Sequence, residues 1–108
     1  MKEANFYAIL PAKVRYSNEL SEFEKILYCE ITALASKTGE CFASNKYFSD
    51  CFNKTPQHIS KCINNLKKLG FIQVSFTYKT NSKEVDKRII TFVGDFTGLV
   101  KKVNTYAK

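Results

Sequence analysis

Gln57, Lys61, Asn64 and Lys68 stand at positions i, i+4, i+7 and i+11 of the stretch "TPQHISKCINNLKKLG", residues 55–70. On a helix advancing about 100° per residue, that spacing gathers all four on one side. Ile59, Cys62, Ile63, Leu66 and Leu69 fall on the opposite arc, and His58, Ser60, Asn65 and Lys67 fill the flanks. A carboxamide presents a donor and an acceptor side by side and pairs bidentately with the edge of an adenine. A lysine reaches guanine or a phosphate oxygen. The stretch contains no carboxylate. A face that only has to dissolve mixes both signs and gains from i,i+4 ion pairs, whereas a face that enters a groove walled by phosphates cannot carry acids.

Assigned by position, Gln57, His58, Lys61 and Asn64 are the candidate base-reading residues, because the N-terminal part of a recognition helix meets base edges. Thr55, Ser60, Asn65, Lys67 and Lys68, with Lys46 from the preceding helix, are the candidate backbone contacts. Thr55 at the helix N-terminus is placed to hold a phosphate with help from the helix dipole. A plainer account exists for some of these. Lysines in a last helical turn are explained by the dipole alone, which covers Lys67 and Lys68, and His58 also fits as a solvated polar residue.

Catalysis has little to work with. The chain holds one histidine, no nucleophile–base pairing and no glycine-rich phosphate loop, so no enzyme is expected. Cys29, Cys41, Cys51 and Cys62 never occur as C-x-x-C, which argues against a structural zinc site and for free thiols in a reducing cytoplasm. Cys51 and Cys62 fall at apolar positions and read as small core residues. No metal and no cofactor are expected.

The elements that must hold this face follow from the remaining pattern. "NFYAILPAKVRYSNEL" alternates around Pro11 and reads as an extended arm over residues 1–20. "SEFEKILYCEITALASKTG" opens with a capping box, Ser21 to Glu24, puts Phe23, Ile26, Leu27, Ile31 and Leu34 on a core stripe, and stops at Gly39. "ECFA" reads as a short strand. Ser44 caps a second helix with Phe48, Cys51 and Phe52 inward, and after a three-residue break Thr55 caps the third, with Pro56 first and Gly70 at the end. "FIQVSFTYK" puts Ile72, Val74, Phe76 and Tyr78 on one face, "TNSKEVDK" is turn-like, and "RIITFV" is the returning strand. The pair is a hairpin whose tip carries Lys79, Lys83, Lys87 and Arg88 against Glu84 and Asp86. Such a wing lies along the DNA backbone or enters a minor groove. Residues 94–108 read as a final strand or a tail. The expected architecture is α+β, a winged helix-turn-helix of three helices, a short strand and a β-hairpin wing over residues 21–93.

Composition sets the frame. At 108 residues the chain supports one core, and its net charge of +7 sits in residues 40–108, while residues 21–39 are net acidic. That asymmetry points toward an anionic polymer. No apolar run is long enough to span a membrane, and no signal peptide is expected. Fifteen aromatics raise a minor reading, single-stranded nucleic acid stacked on exposed rings, with Tyr7, Tyr16, Tyr28, Tyr47 and Tyr106 as the candidate platform.

Four motifs carry a resemblance: "FYAILPAKVRY", "KILYCEITAL", "GECFASNKYF" and "TPQHISKCINNLKKLGFI". Over about residues 6–74 the chain resembles the winged-helix domain at the N-terminus of plasmid and phage replication proteins of Firmicutes. The resemblance implies sequence-specific binding to double-stranded DNA, often at repeats in an origin, and a separate C-terminal domain that recruits replication machinery. A chain ending soon after the wing is expected to lack that domain. It is similar, in that respect, to stand-alone winged helices of conjugative plasmids, some of which bind beside the nick site and assist a relaxase. Replication or relaxase proteins, and a homodimer matching paired half-sites, are partners of the kind this implies. A small transcriptional regulator of a mobile element, or a winged-helix protein–protein interaction module, are the competing functions.

Overall fold

The computed structural model describes residues 7–93. In chain order these form α1 (Ala12–Arg15), α2 (Glu22–Leu34), α3 (Asn45–Phe52), α4 (Pro56–Lys68), β1 (Ile72–Tyr78) and β2 (Val85–Phe92). The strands pair antiparallel as one hairpin, with Ile72 opposite Phe92 and Tyr78 opposite Val85. The assignment of residues 94–108 to a strand or tail, and of residues 1–6 to the arm, lies outside the described residues.

Local chemistry explains the helix ends. Ser21 and Glu24 form the expected capping box, with Ser21 N donating to Glu24 Oε1 at 2.8 Å and Glu24 N to Ser21 Oγ at 3.1 Å. Ser44 and Thr55 cap α3 and α4 by accepting from Tyr47 N and His58 N. The turn between α3 and α4 closes on Asn53 in the left-handed region at φ 56°, with Lys54 N donating to Ser49 O at 3.2 Å. Past α4, Gly70 takes φ 84°, and the N–H groups of Gly70 and Phe71 donate to Lys67 O and Leu66 O, both at 3.0 Å. This pair of bonds is the glycine-dependent stop that releases the chain directly into β1.

The core lies where α2, α3, α4 and the base of the hairpin meet. Leu27, Ile31, Phe48, Ile59, Leu66, Ile72 and Ile90 are fully buried. Each such side chain contributes about 1.5–3 kcal/mol relative to leaving it in water. Cys41, Cys62 and Ile63 belong to the same buried cluster, and Tyr28 meets Phe92 edge-on with ring centroids 5.7 Å apart.

Several expectations are corrected. The arm is not extended throughout: the N–H groups of Val14 and Arg15 donate to Pro11 O, and one turn of helix follows with Val14 buried. Proline is excluded from a helix interior but not from a cap, and Pro11 is the cap here. The strand at "ECFA" is a single bridge, in which Cys41 and Ile90 exchange two 2.9 Å hydrogen bonds. Ile26 is exposed rather than on the core stripe, while Tyr28, offered as a stacking ring, is buried. Phe76 and Tyr78 share the strand face of Ile72 but are exposed, and β2 begins at Val85 inside the segment read as turn. The hairpin extends past the edge of the core, and alternation alone carries no signal of where the core ends. The whole is an α+β winged helix-turn-helix.

Candidate nucleic-acid interface

The outward face of α4 forms as its spacing requires. Ile59, Cys62, Ile63 and Leu66 are buried, and Gln57, Lys61, Asn64 and Lys68 are exposed on the other side, with Lys67 beside them. Gln57, Lys61, Asn64, Lys67 and Lys68 make no hydrogen bond or ion pair through their side chains among the described residues. Five polar groups on one helix therefore have all their bonding capacity turned outward.

The flanks behave differently. Asn65, expected on the DNA backbone, donates from Nδ2 to Glu24 Oε2 at 3.0 Å and is half-buried. Glu24 is 7% exposed, and its two oxygens are taken by Asn65 and by Ser21 N. The Glu24 carboxylate is thus buried and bonded, in a shallow groove whose rim includes Lys61, Asn64 and Lys68. In this structure Asn65 ties α4 to α2. Ser60 is half-buried.

His58 sits on the α2 side of the face. Its ring lies 5.6 Å from that of Phe23, and Nε2 is 3.6 Å from Cys62 Sγ. Burial, then Glu24, pushes the Cys62 thiol up, against the pull of Lys54 and Lys61, so the sulfur is a neutral packing group. Thr55 Oγ1 accepts from His58 N at 3.1 Å, so its hydroxyl serves the helix cap first. Lys46 is paired with Asp50 at 2.9 Å, one turn along α3. Both groups are well exposed, and such a pair contributes less than about 1 kcal/mol.

Of the four wing cations, two are committed. Arg88 Nη1 donates to Asn45 Oδ1 at 2.7 Å and Nη2 to Ala43 O at 2.8 Å. Burial pulls this guanidinium below its ordinary value, and Cys41 opposes that in part. Arg88 is therefore a clip between β2 and the start of α3. Lys79 pairs with Glu84 at 3.0 Å across the hairpin tip. Lys87 Nζ lies 5.0 Å from the ring centre of Phe42, and Lys83 is exposed without a bonded partner.

Residues that sequence reasoning passed over also flank this surface. Lys54, in the turn before α4, holds Nζ 5.2 Å from the ring centre of Phe23. Its place next to a capping threonine was the available signal. Asn45 had none, since its partner Arg88 is 43 residues away. Among the described residues, no group of three or more His, Cys, Asp or Glu could hold a metal ion, and no helix is long and apolar enough to cross a membrane.

A family model described as a helix-turn-helix domain matches residues 18–72, from the approach to α2 through the first residue of β1. No curated protein matches the chain. Among solved structures, the chain is similar to a mutant form of Lactococcus lactis ZitR at 18% identity and a TM-score of 0.49, the match covering 91% of this chain. The chain spans 59% of the length of that structure.

Proposed function

The chain belongs to the helix-turn-helix domain family over residues 18–72, and from that premise we propose that it recognises a specific site in double-stranded DNA without catalysing a reaction. In this reading α4 enters the major groove. Gln57, Lys61 and Asn64 read base edges, Lys67 and Lys68 meet the backbone, and Lys83 and Lys87 anchor the wing. The observation that carries it is the outward stripe of α4, with two amides, Lys61 and Lys68 unpartnered among the described residues and the carboxylate of the adjoining groove, Glu24, buried. Phosphates repel a mixed-charge face and attract this one.

The sequence resemblance to plasmid and phage replication domains supports a finer reading: an origin of replication or conjugative transfer on a mobile element, in the cytoplasm, with replication or relaxase proteins as partners. A small regulator of transcription would use the same face of α4. The test is selection of duplexes from a random pool by the full chain, followed by competition and a footprint on the host element. A recovered consensus that outcompetes random duplex supports the reading, and the position of the footprint decides between origin and promoter. A pool that yields no consensus overturns it.

A further inference from the structure

Phe42, Phe76, Tyr78 and Val85 are 44%, 46%, 58% and 46% exposed. They are neighbours by construction. Ile72, Val74, Phe76 and Tyr78 share one face of β1, opposite Phe92, Ile90, Arg88 and Val85 of β2. The first two rungs close the core. The next two continue the same face beyond it, where the hairpin outruns the domain, and a cleft opens between them and the start of α3, lined by Phe42, Phe76, Val85 and Lys87. Apolar surface left uncovered and rimmed by polar groups marks an interaction site.

The charges around this cleft select its occupant. Lys87 and Arg88 line it against Asp86, and at the hairpin tip Lys79 and Glu84 neutralise one another at 3.0 Å while Lys83 stands exposed. Lys87 Nζ stands over the Phe42 ring, so a cation sits at the mouth of the apolar surface. The occupant must then be apolar where it meets the rings and anionic around them. Two copies of this chain placed face to face would bring both sets of lysines together, which disfavours self-association through this surface. The outward stripe of α4 carries no large apolar side chain, so the wing offers a different chemistry from the recognition helix.

We propose that the exposed face of the hairpin is a minor-groove wedge. Resting on the reading of the chain as a duplex-binding protein, the inference is that Phe76, Tyr78 and Val85 press into the groove beside the α4 site and part a base step, while Lys83 and Lys87 hold the flanking phosphates. Apolar wedges of this kind unstack a step and bend the duplex toward the major groove. The wing would then contribute specificity through the deformability of sequence that α4 never touches.

The experiment uses the full chain and a duplex selected by it from a random pool, labelled at both ends for energy transfer. The wild type is expected to shorten the end-to-end distance on binding. Phe76→Ser with Tyr78→Ser should abolish that bend and weaken binding about tenfold, within the range for losing aromatic contacts to bases. The slope of log affinity against log salt should stay unchanged, since no phosphate contact is removed. Both side chains are exposed, and an unchanged melting temperature verifies that the variant is folded. An unbent wild-type complex, or a doubly substituted chain with wild-type bend and affinity, overturns the wedge and leaves α4 recognition standing. A dimer in sedimentation that the double substitution dissolves overturns it in favour of a second copy on this face. Failure to select any duplex removes the underlying reading as well.

Discussion

Arg88 on β2 and Asn45 at the start of α3 are joined by a 2.7 Å hydrogen bond from Nη1 to Oδ1. With the second bond from Nη2 to Ala43 O, one side chain fixes the hairpin against the helix-turn-helix. The wing is thereby oriented relative to α4 by a bond that contacts neither the turn nor the recognition helix. The guanidinium thus ties β2 to the start of α3.

Replacing that clip should loosen the wing. Arg88→Ala leaves Asn45 Oδ1 and Ala43 O without their donor, and a stability loss of about 1–3 kcal/mol is expected in urea unfolding. DNA affinity should fall further than stability alone explains, because the wing loses its register. Arg88→Lys, which keeps the charge but not the two-pronged geometry, should restore only part of the loss. Full restoration by lysine would show that charge, not placement, is what Arg88 supplies.

Glu24 and Asn65 should behave as a coupled pair. Asn65→Ala breaks the 3.0 Å bond to Glu24 Oε2 and leaves a buried carboxylate one partner short. A double-mutant cycle with Glu24→Ala is expected to give a coupling of about 0.5–3 kcal/mol in stability. The salt dependence of DNA binding should not move. A flatter salt slope for Asn65→Ala would return this residue to the DNA backbone.

Within the α4 face the roles should separate. Gln57→Ala or Asn64→Ala is expected to cost about 1–3 kcal/mol on the selected duplex and little on random sequence. Lys83→Ala should weaken both alike and reduce the salt slope by about one. Fluorescence anisotropy titrations on the two duplexes measure this, and equal losses everywhere from Asn64→Ala would show that it does not read bases.

Stability should decline in alkali. Burial first, then Glu30, pushes the Tyr47 phenol from its ordinary 10.0 up to about 12, and its hydroxyl donates to Glu30 Oε2 at 3.2 Å. Burial pushes the Cys41 thiol from 9.0 up to about 11, and Tyr28 is shifted upward as well. A proton held more tightly in the folded state gives stability that is complete below the unfolded pKa and lost as pH rises through the folded one. Melting temperatures should therefore hold near neutrality and fall from pH 9.0 for Cys41 and 10.0 for Tyr47 onward. Tyr47→Phe should make that fall shallower, and an identical alkaline profile would contradict the account.

What could be read from residues alone was whatever depends on neighbours in sequence. The capping box at Ser21, the caps at Ser44 and Thr55, the stop at Gly70 and the two faces of α4 are all set within a turn or two of chain. What escaped depends on distance in space. Pro11 caps a turn because Val14 finds the core, and Asn65 turns inward because Glu24 waits 41 residues away. Phe76 and Tyr78 obey strand alternation and still lie open, since alternation specifies a face and not how far the core reaches. Cation counts at the wing overstated how many stand free for the same reason: Arg88 is held by Asn45 and Lys79 is paired with Glu84.

The central claim, that this chain uses the acid-free face of α4 and the wing lysines to grip duplex DNA, meets its most direct test in one titration. Affinity for the selected duplex is measured across salt concentration for the wild-type chain. The account predicts a straight line of negative slope in log affinity against log salt, close to 0.9 per phosphate neutralised, with about that much lost when Lys67 or Lys68 becomes alanine. No binding to any duplex at low salt, or binding whose slope ignores both lysines, would contradict it.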